Sequence, residues 1–320
     1  MKGMMMHQPL LVSEILEFGV GAYPRSEIVS VRTEGDIHRE TFVEFRDRTV
    51  QLAHGLKKLG VELGDRVATL AWNGYRHMEL YYAISGIGAI CHTINPRLSA
   101  EQFIYIVNHA EDKLLFLDTT FVPIIEAVKD HLPKDLVYVI MTDRAHMPET
   151  SFDALCYEEL LEGEPTEIEW PVFDENTACG LCYTSGTTGN PKGALYSHRS
   201  TYLHAMMISV MQTTTFQEGA SVLPVVPLFH VNAWGLPYSS LISGLNMVMP
   251  GPAMDGPSLF KLMDEEKVYS AWGVPTIWQG LLAEIKKQGR KPENFGDVVV
   301  GGSAAPRSMI EAFEKLDVSV

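Results

Sequence analysis

Two hydrophobic rhythms alternate along the chain. Short apolar runs of strand length are separated by stretches in which apolar residues recur every three or four positions. Leu10–Phe18 reads as a short amphipathic helix, and Glu27–Arg32 and Asp36–Glu40 read as strands joined at Glu34–Gly35. Thr41 with Glu44 three residues on has the form of a capping box. The helix behind it presents Phe42, Phe45, Val50, Leu52, Leu56 and Leu59 to one side and stops at Gly60.

From Arg66 the alternation is regular. Arg66–Ala71, Ala89–Ile94, Lys113–Leu117 and Leu136–Met141 have strand character, with helices predicted near Tyr75–Ser85, Ala100–His109 and Phe121–His131. Glu162–Glu175 is acidic, holds Pro165 and Pro171, lacks a period, and reads as a connector. A second series follows, with strands near Ser221–Val226, Asn246–Met249, Tyr269–Trp272 and Asp297–Gly301. Its helices are predicted near Ser200–Met211, Val231–Ser243, Ser258–Lys267, Thr276–Gln288 and Pro306–Lys315. Strands spaced by helical crossovers imply an α/β fold of two doubly wound, mostly parallel sheets. The expected units are residues 1–165 and 176–320, with ligands where strand ends meet glycine-rich loops. Leu316–Val320 opens another strand-like run, so the last crossover is expected to be unfinished and the chain to be part of a longer protein.

Composition narrows this picture modestly. A formal charge of -15 argues against a nucleic-acid partner, which needs a basic surface, but leaves room for a locally basic phosphate loop. No apolar run approaches a membrane span, and a peripheral membrane contact stays open for an apolar substrate. Four cysteines without a disulfide pattern suit a reducing cytoplasm. Cys179 and Cys182 form a C-x-x-C, but inside a strand-like run and with no second pair; small core residues are the better reading.

The concentrated chemistry lies at Tyr183–Gly193, Y-T-S-G-T-T-G-N-P-K-G. Its eleven residues hold three glycines, four Ser/Thr hydroxyls (Thr184, Ser185, Thr187, Thr188) and Lys192, with no acid among them. Such loops often only turn the chain. Here the density of donors, the lysine and the flanking strands point to a polyphosphate. A Walker loop fails, because Pro191 precedes the lysine, Gly193 follows it, and the chain beyond reads as a strand.

These residues resemble the signature loop of the adenylate-forming superfamily: acyl-CoA synthetases, luciferases and peptide-synthetase adenylation domains. W-N-G at Trp72–Gly74, I-N-P-R-L at Ile94–Leu98, V-P-L-F-H-V-N-A-W-G-L-P at Val226–Pro237, G-V-P-T at Gly273–Thr276 and V-V-G-G-S-A-A-P-R at Val299–Arg307 agree in order and spacing. The forms F-H-V-N-A-W and G-G-S-A-A-P look most like bacterial medium- or long-chain fatty-acid–CoA ligases.

The resemblance implies that a carboxylic acid is adenylated with Mg-ATP and passed to coenzyme A. It assigns Thr184, Ser185, Gly186, Thr187, Thr188 and Gly189 to the β- and γ-phosphates, Lys192 to the pyrophosphate charge and Thr184 to magnesium. Gly301, Gly302, Ser303, Ala304 and Ala305 match the segment beside adenine. His230 is expected to face the acyl carboxylate or α-phosphate. Trp234, one helical turn on, is expected to line or gate an acyl tunnel with Val231, Gly235, Gly273 and Thr276. A homodimer with an N-terminal strap is also implied. The family's following motifs and its mobile C-terminal domain do not occur in the sequence, so turnover by these residues alone is not expected. Another acid, a carrier-protein acceptor, or a non-catalytic binding and dimerisation module remain alternatives. The basic cluster Lys286, Lys287, Arg290 and Lys291 is read as complementing a helix end rather than as a coenzyme A contact.

Overall fold

The computed structural model describes residues 1, 3–184, 190–213 and 215–320. The chain opens with helix α1 (Val12–Ala22), strands β1 (Glu27–Val31) and β2 (Ile37–Thr41), and helix α2 (Phe42–Lys58). The capping box forms: Thr41 N donates to Glu44 at 2.7 Å, and Glu44 N donates to the Thr41 hydroxyl at 3.3 Å. Next come β3 (Arg66–Leu70), α3 (Tyr75–Gly86), β4 (Ile90–Thr93), α4 (Ala100–Ala110), β5 (Asp112–Leu117), α5 (Val122–Val128) and β6 (Val137–Ile140). β7 (Ala154–Cys156) and α6 (Tyr157–Leu161) follow; both are too short to show a period in the sequence.

After the connector come β8 (Ala178–Thr184), β9 (Lys192–Ser197) and α7 (His198–Met211). The second winding is β10 (Ser221–Pro224), α8 (Leu236–Ser243), β11 (Asn246–Met249), α9 (Gly256–Glu265), β12 (Val268–Gly273), α10 (Pro275–Gln288), β13 (Asp297–Val300) and α11 (Arg307–Glu314).

Two sheets result, each parallel apart from one edge pair. One runs β13-β12-β10-β11-β1-β2 and the other β7-β6-β5-β3-β4-β8-β9. The antiparallel exceptions are β1 with β2 and β8 with β9. Membership does not divide at the connector. β1 pairs in parallel with β11, Ile28 opposite Met247, while β8 pairs with β4, Cys91 opposite Gly180. The expected units 1–165 and 176–320 thus describe chain order, and the sheets exchange strands across it. Local pattern carries no information on which sheet a strand joins.

The core forms layers. Residues of α1, α2, α3 and α8 pack with Ile28, Met247 and Met249 of one sheet and Val67, Leu114 and Phe116 of the other. Every residue of α3 is buried, as expected for a helix held between two sheets. On the outer faces, α9, α10 and α11 cover the six-stranded sheet, and α4 and α5 cover the seven-stranded one. Cys91, Cys156, Cys179 and Cys182 are buried and free. Burial pushes the Cys179 thiol up to about 12, so the C-x-x-C is core packing and not an acidic redox pair.

One predicted element is corrected. The helix expected at Val231–Ser243 starts at Leu236. Val231, Asn232, Ala233 and Trp234 stand at φ of 48, 49, 47 and 55°, followed by Gly235 at 82°. The segment is a left-handed turn, so Trp234 does not share a helical face with His230. Each non-glycine residue so placed costs about 1–2 kcal/mol, and only tertiary contacts keep it there.

Candidate functional site

Parallel strands direct their carboxyl ends to one side, and the sequence-predicted residues that the structure describes follow such ends. In the seven-stranded sheet β8 ends at Thr184 and β9 begins at Lys192, and the two residues face each other across the antiparallel pair. Both are exposed, and the Thr184 hydroxyl lies 3.4 Å from the Lys192 carbonyl. Thr184 and Lys192 are thus a cross-strand pair at the mouth of the hairpin. Ser185, Gly186, Thr187, Thr188 and Gly189 lie outside the described residues.

In the six-stranded sheet, β12 and β13 end side by side, with Gly273 paired to Val300 and Gly301 N donating to Gly273 O at 3.1 Å. Gly301 is half-buried, and Gly302, Ser303 and Ala304 are exposed. Gly302 has φ of +77°, which suits the residue that turns the chain out of the strand. Thr276 is exposed in the first turn of α10. The segment Gly301–Ala305 is thus a shelf of small residues beside a helix start.

The left-handed turn stands between the two edges. A β-carbon built on Gly301 would lie 2.5 Å from the Trp234 ring, so the indole rests on the backbone of the small-residue shelf. Trp234 also packs near Trp272, ring centres 6.4 Å apart, and Trp272 near Phe216 at 6.0 Å. A β-carbon on Gly235 would meet His204 at 2.6 Å, so α7 closes over the turn. His230 and Val231 are exposed at its start. The Thr93 hydroxyl lies 3.5 Å from the Phe229 carbonyl and 3.2 Å from the Cys182 sulfur, which joins this turn to β8 two residues before Thr184.

Sequence reasoning missed the residues that hold these parts together: Asn73, Tyr81, Cys182 and Asn232. Cys182 and Asn232 were visible only inside the C-x-x-C and the V-P-L-F-H-V-N-A-W-G-L-P run, and Asn73 only as the asparagine of W-N-G. It follows β3 in the first winding yet bonds the loop after β10 in the second. Beneath it Asp118 accepts the Trp72 N–H at 2.7 Å, and burial raises its carboxyl to about 7. The basic cluster is partly spent on neighbours: Arg290 pairs with Asp264, Lys287 with Glu284, and Lys291 bonds the Asp317 carbonyl.

Small residues at the shelf suit a flat ring, and the Thr184–Lys192 pair suits an anion. Among the described residues no cluster of three or more His, Cys, Asp or Glu side chains is placed to hold a metal ion. Thr184 offers one hard oxygen, the donor type a magnesium ion takes.

Residues 19–318 match the AMP-binding enzyme family, and the chain belongs to it. It is 48% identical over 320 residues to a 3-methylmercaptopropionyl-CoA ligase of Ruegeria lacuscaerulensis, covering 98% of this chain and 59% of that protein. It is 48% identical over 321 residues to a medium-chain-fatty-acid–CoA ligase of Ectopseudomonas oleovorans, covering 99% and 58%. The crystal structure of an anthranilate CoA ligase in complex with anthranoyl-AMP shares the fold, with a TM-score of 0.86 at 23% identity, covering 100% of this chain and 60% of that one. The chain thus spans about three fifths of the length of these relatives.

Proposed function

We propose that this chain carries the adenylating site of an acyl-CoA ligase acting on medium- or long-chain fatty acids. The observation that carries the reading is the contact between Trp234 and Gly301, which places an apolar turn directly against a small-residue shelf. An acyl group and an adenine would then meet within one side chain of each other. In the first step a carboxylate oxygen attacks the α-phosphorus of ATP, and pyrophosphate leaves with the electrons of the broken P–O bond. In the second, the sulfur of coenzyme A attacks the acyl carbonyl and AMP departs.

Both partners of the first step are anions, so the site must neutralise charge and fix the line of attack. Lys192 supplies the positive charge, with the hydroxyls and glycines from Thr184 to Gly189 as donors around the β- and γ-phosphates. Thr184 would hold magnesium, which supplies charge neutralisation when bound. Gly301–Ala305 lie against the adenine. His230 faces the carboxylate, and Trp234 lines the acyl path with Val231, Gly235, Gly273 and Thr276. Identity to both a methylmercaptopropionyl and a medium-chain ligase leaves chain length to the apolar path around Trp234. We place the enzyme in the cytoplasm, consistent with free buried thiols, and read it as a homodimer from the family resemblance alone; no described helix is long and apolar enough to cross a membrane.

ATP–pyrophosphate exchange on the full-length protein, across straight-chain acids of increasing length, tests this reading. Exchange that rises with chain length to a maximum supports it. No exchange with any acid would overturn it.

A further inference from the structure

Asn73 belongs to the chain leaving β3, yet its side chain is spent entirely on the other winding. Its amide nitrogen donates to the carbonyls of Pro224 at 2.7 Å and Val226 at 2.9 Å, and its oxygen accepts from Leu228 N at 2.7 Å. An asparagine side chain has two N–H donors and one carbonyl, and all of them are used here. Its backbone carbonyl accepts from Gly251 N at 2.9 Å, which ties the residue to the end of β11 as well. The side chain is buried, so no water competes for these bonds.

Tyr81, eight residues further on and inside α3, continues the grip. Its buried hydroxyl donates to the Leu228 carbonyl and lies 3.3 Å from the Asn232 side-chain oxygen. The Cys182 sulfur lies 3.5 Å from the same Asn232 oxygen. Asn73 and Tyr81 therefore grasp both sides of Leu228, the first its N–H and the second its carbonyl. The left-handed residues Val231–Trp234 begin three residues later. A backbone run in that conformation relaxes unless its ends are held, and these bonds hold the end that carries His230.

We propose that Asn73 and Tyr81 are positioning residues: by fixing Pro224–Asn232 they set the left-handed turn and thereby seat Trp234 on Gly301. The proposal rests on the adenylating function argued above. Neither residue touches the positions assigned to substrate, so their effect is on where His230 and Trp234 stand.

Two mild variants test it in the full-length protein, Tyr81→Phe, which removes one oxygen, and Asn73→Ser, which removes the amide. In pyrophosphate exchange Tyr81→Phe is expected to raise the KM for the acid by about tenfold, the upper range for one net hydrogen bond, and Asn73→Ser, which gives up three bonds, by at least as much. Each should also flatten the preference between acids of different length, with a smaller change in the KM for ATP. The double variant should lose less than the product of the two, because both act on one segment. In parallel, protein labelled with 5-fluorotryptophan, its Trp234 signal assigned through Trp234→Phe, reports the seat of the indole without any turnover. A shifted or broadened Trp234 signal in both variants supports the proposal. An unmoved signal together with unchanged acid KM and length preference overturns it. Wild-type protein with no exchange would sink the functional reading alone, and the fluorine signal would still decide the positioning.

Discussion

The Trp234 indole occupies the space into which a side chain on Gly301 would project, with a built β-carbon only 2.5 Å from the ring. No real β-carbon is tolerated so close to rigid aromatic atoms, so the glycine and the tryptophan exclude any larger partner. Gly301→Ala should therefore displace Trp234 and lower pyrophosphate exchange at least tenfold, in the range of positioning effects. Its thermal midpoint should fall only slightly, because Gly301 is half-buried at a strand end. Exchange kinetics with a melting curve on the same preparation check this; full activity would show that the indole moves freely.

Trp234→Ala removes the ring and leaves the turn in place. The expected result is a broadened chain-length profile and altered apparent affinity for the acid. Competition between short and long acids in one exchange assay measures it. An unchanged profile would remove Trp234 from the acyl path.

Ala233 stands at φ of 47° and is completely buried. Ala233→Gly relieves a left-handed strain of about 1–2 kcal/mol, offset by the buried methyl it loses, about 0.8 kcal/mol, and by the greater freedom glycine has when unfolded. A midpoint within about 2 °C of wild type is expected, despite the lost burial. A midpoint lowered by several degrees would mean that the turn is not left-handed in solution.

Glu40 is buried, with no hydrogen-bond partner for either carboxylate oxygen; Arg48 Nε lies 3.6 Å away and His38 Nε2 3.3 Å. Burial raises its carboxyl to about 8 from the ordinary 4.5. The unfolded chain releases this proton near pH 4.5 while the folded chain keeps it to about pH 8, so the folded state binds more protons between these values. Stability is therefore lost as pH rises through that window. Glu40→Gln keeps the neutral shape and should flatten this limb, making the variant more stable than wild type at pH 8. Denaturant midpoints at pH 5 and pH 8 test it, and equal slopes in the two proteins would contradict it.

Most elements were legible because their signals are local. The capping box at Thr41 and Glu44, the period of α2 and the apolar runs of β3, β5 and β11 each depend on residues a few positions apart. The Thr184–Lys192 mouth was legible too, since a loop between two strands brings its ends together by itself. The failure at Val231 has an equally physical cause. In V-N-A-W-G-L-P, Asn232 and Gly235 tolerate a left-handed backbone, but Val231, Ala233 and Trp234 disfavour it, so the sequence does not announce a run of five such residues. That conformation is imposed from outside by Asn73 and Tyr81, well over a hundred residues earlier in the chain.

By itself the sequence determined an α/β chain of alternating strands and helices, a donor-rich loop bracketed by Thr184 and Lys192, and the small-residue run Gly301–Ala305. Only the tertiary structure decided which strands share a sheet, that β1 joins β11 and β8 joins β4, and that Trp234 rests on Gly301. Periodicity and propensity act over a few residues and fix what an element is. Its neighbour, and the strain it can bear, depend on buried bonds between distant segments, which exist only once the chain has folded.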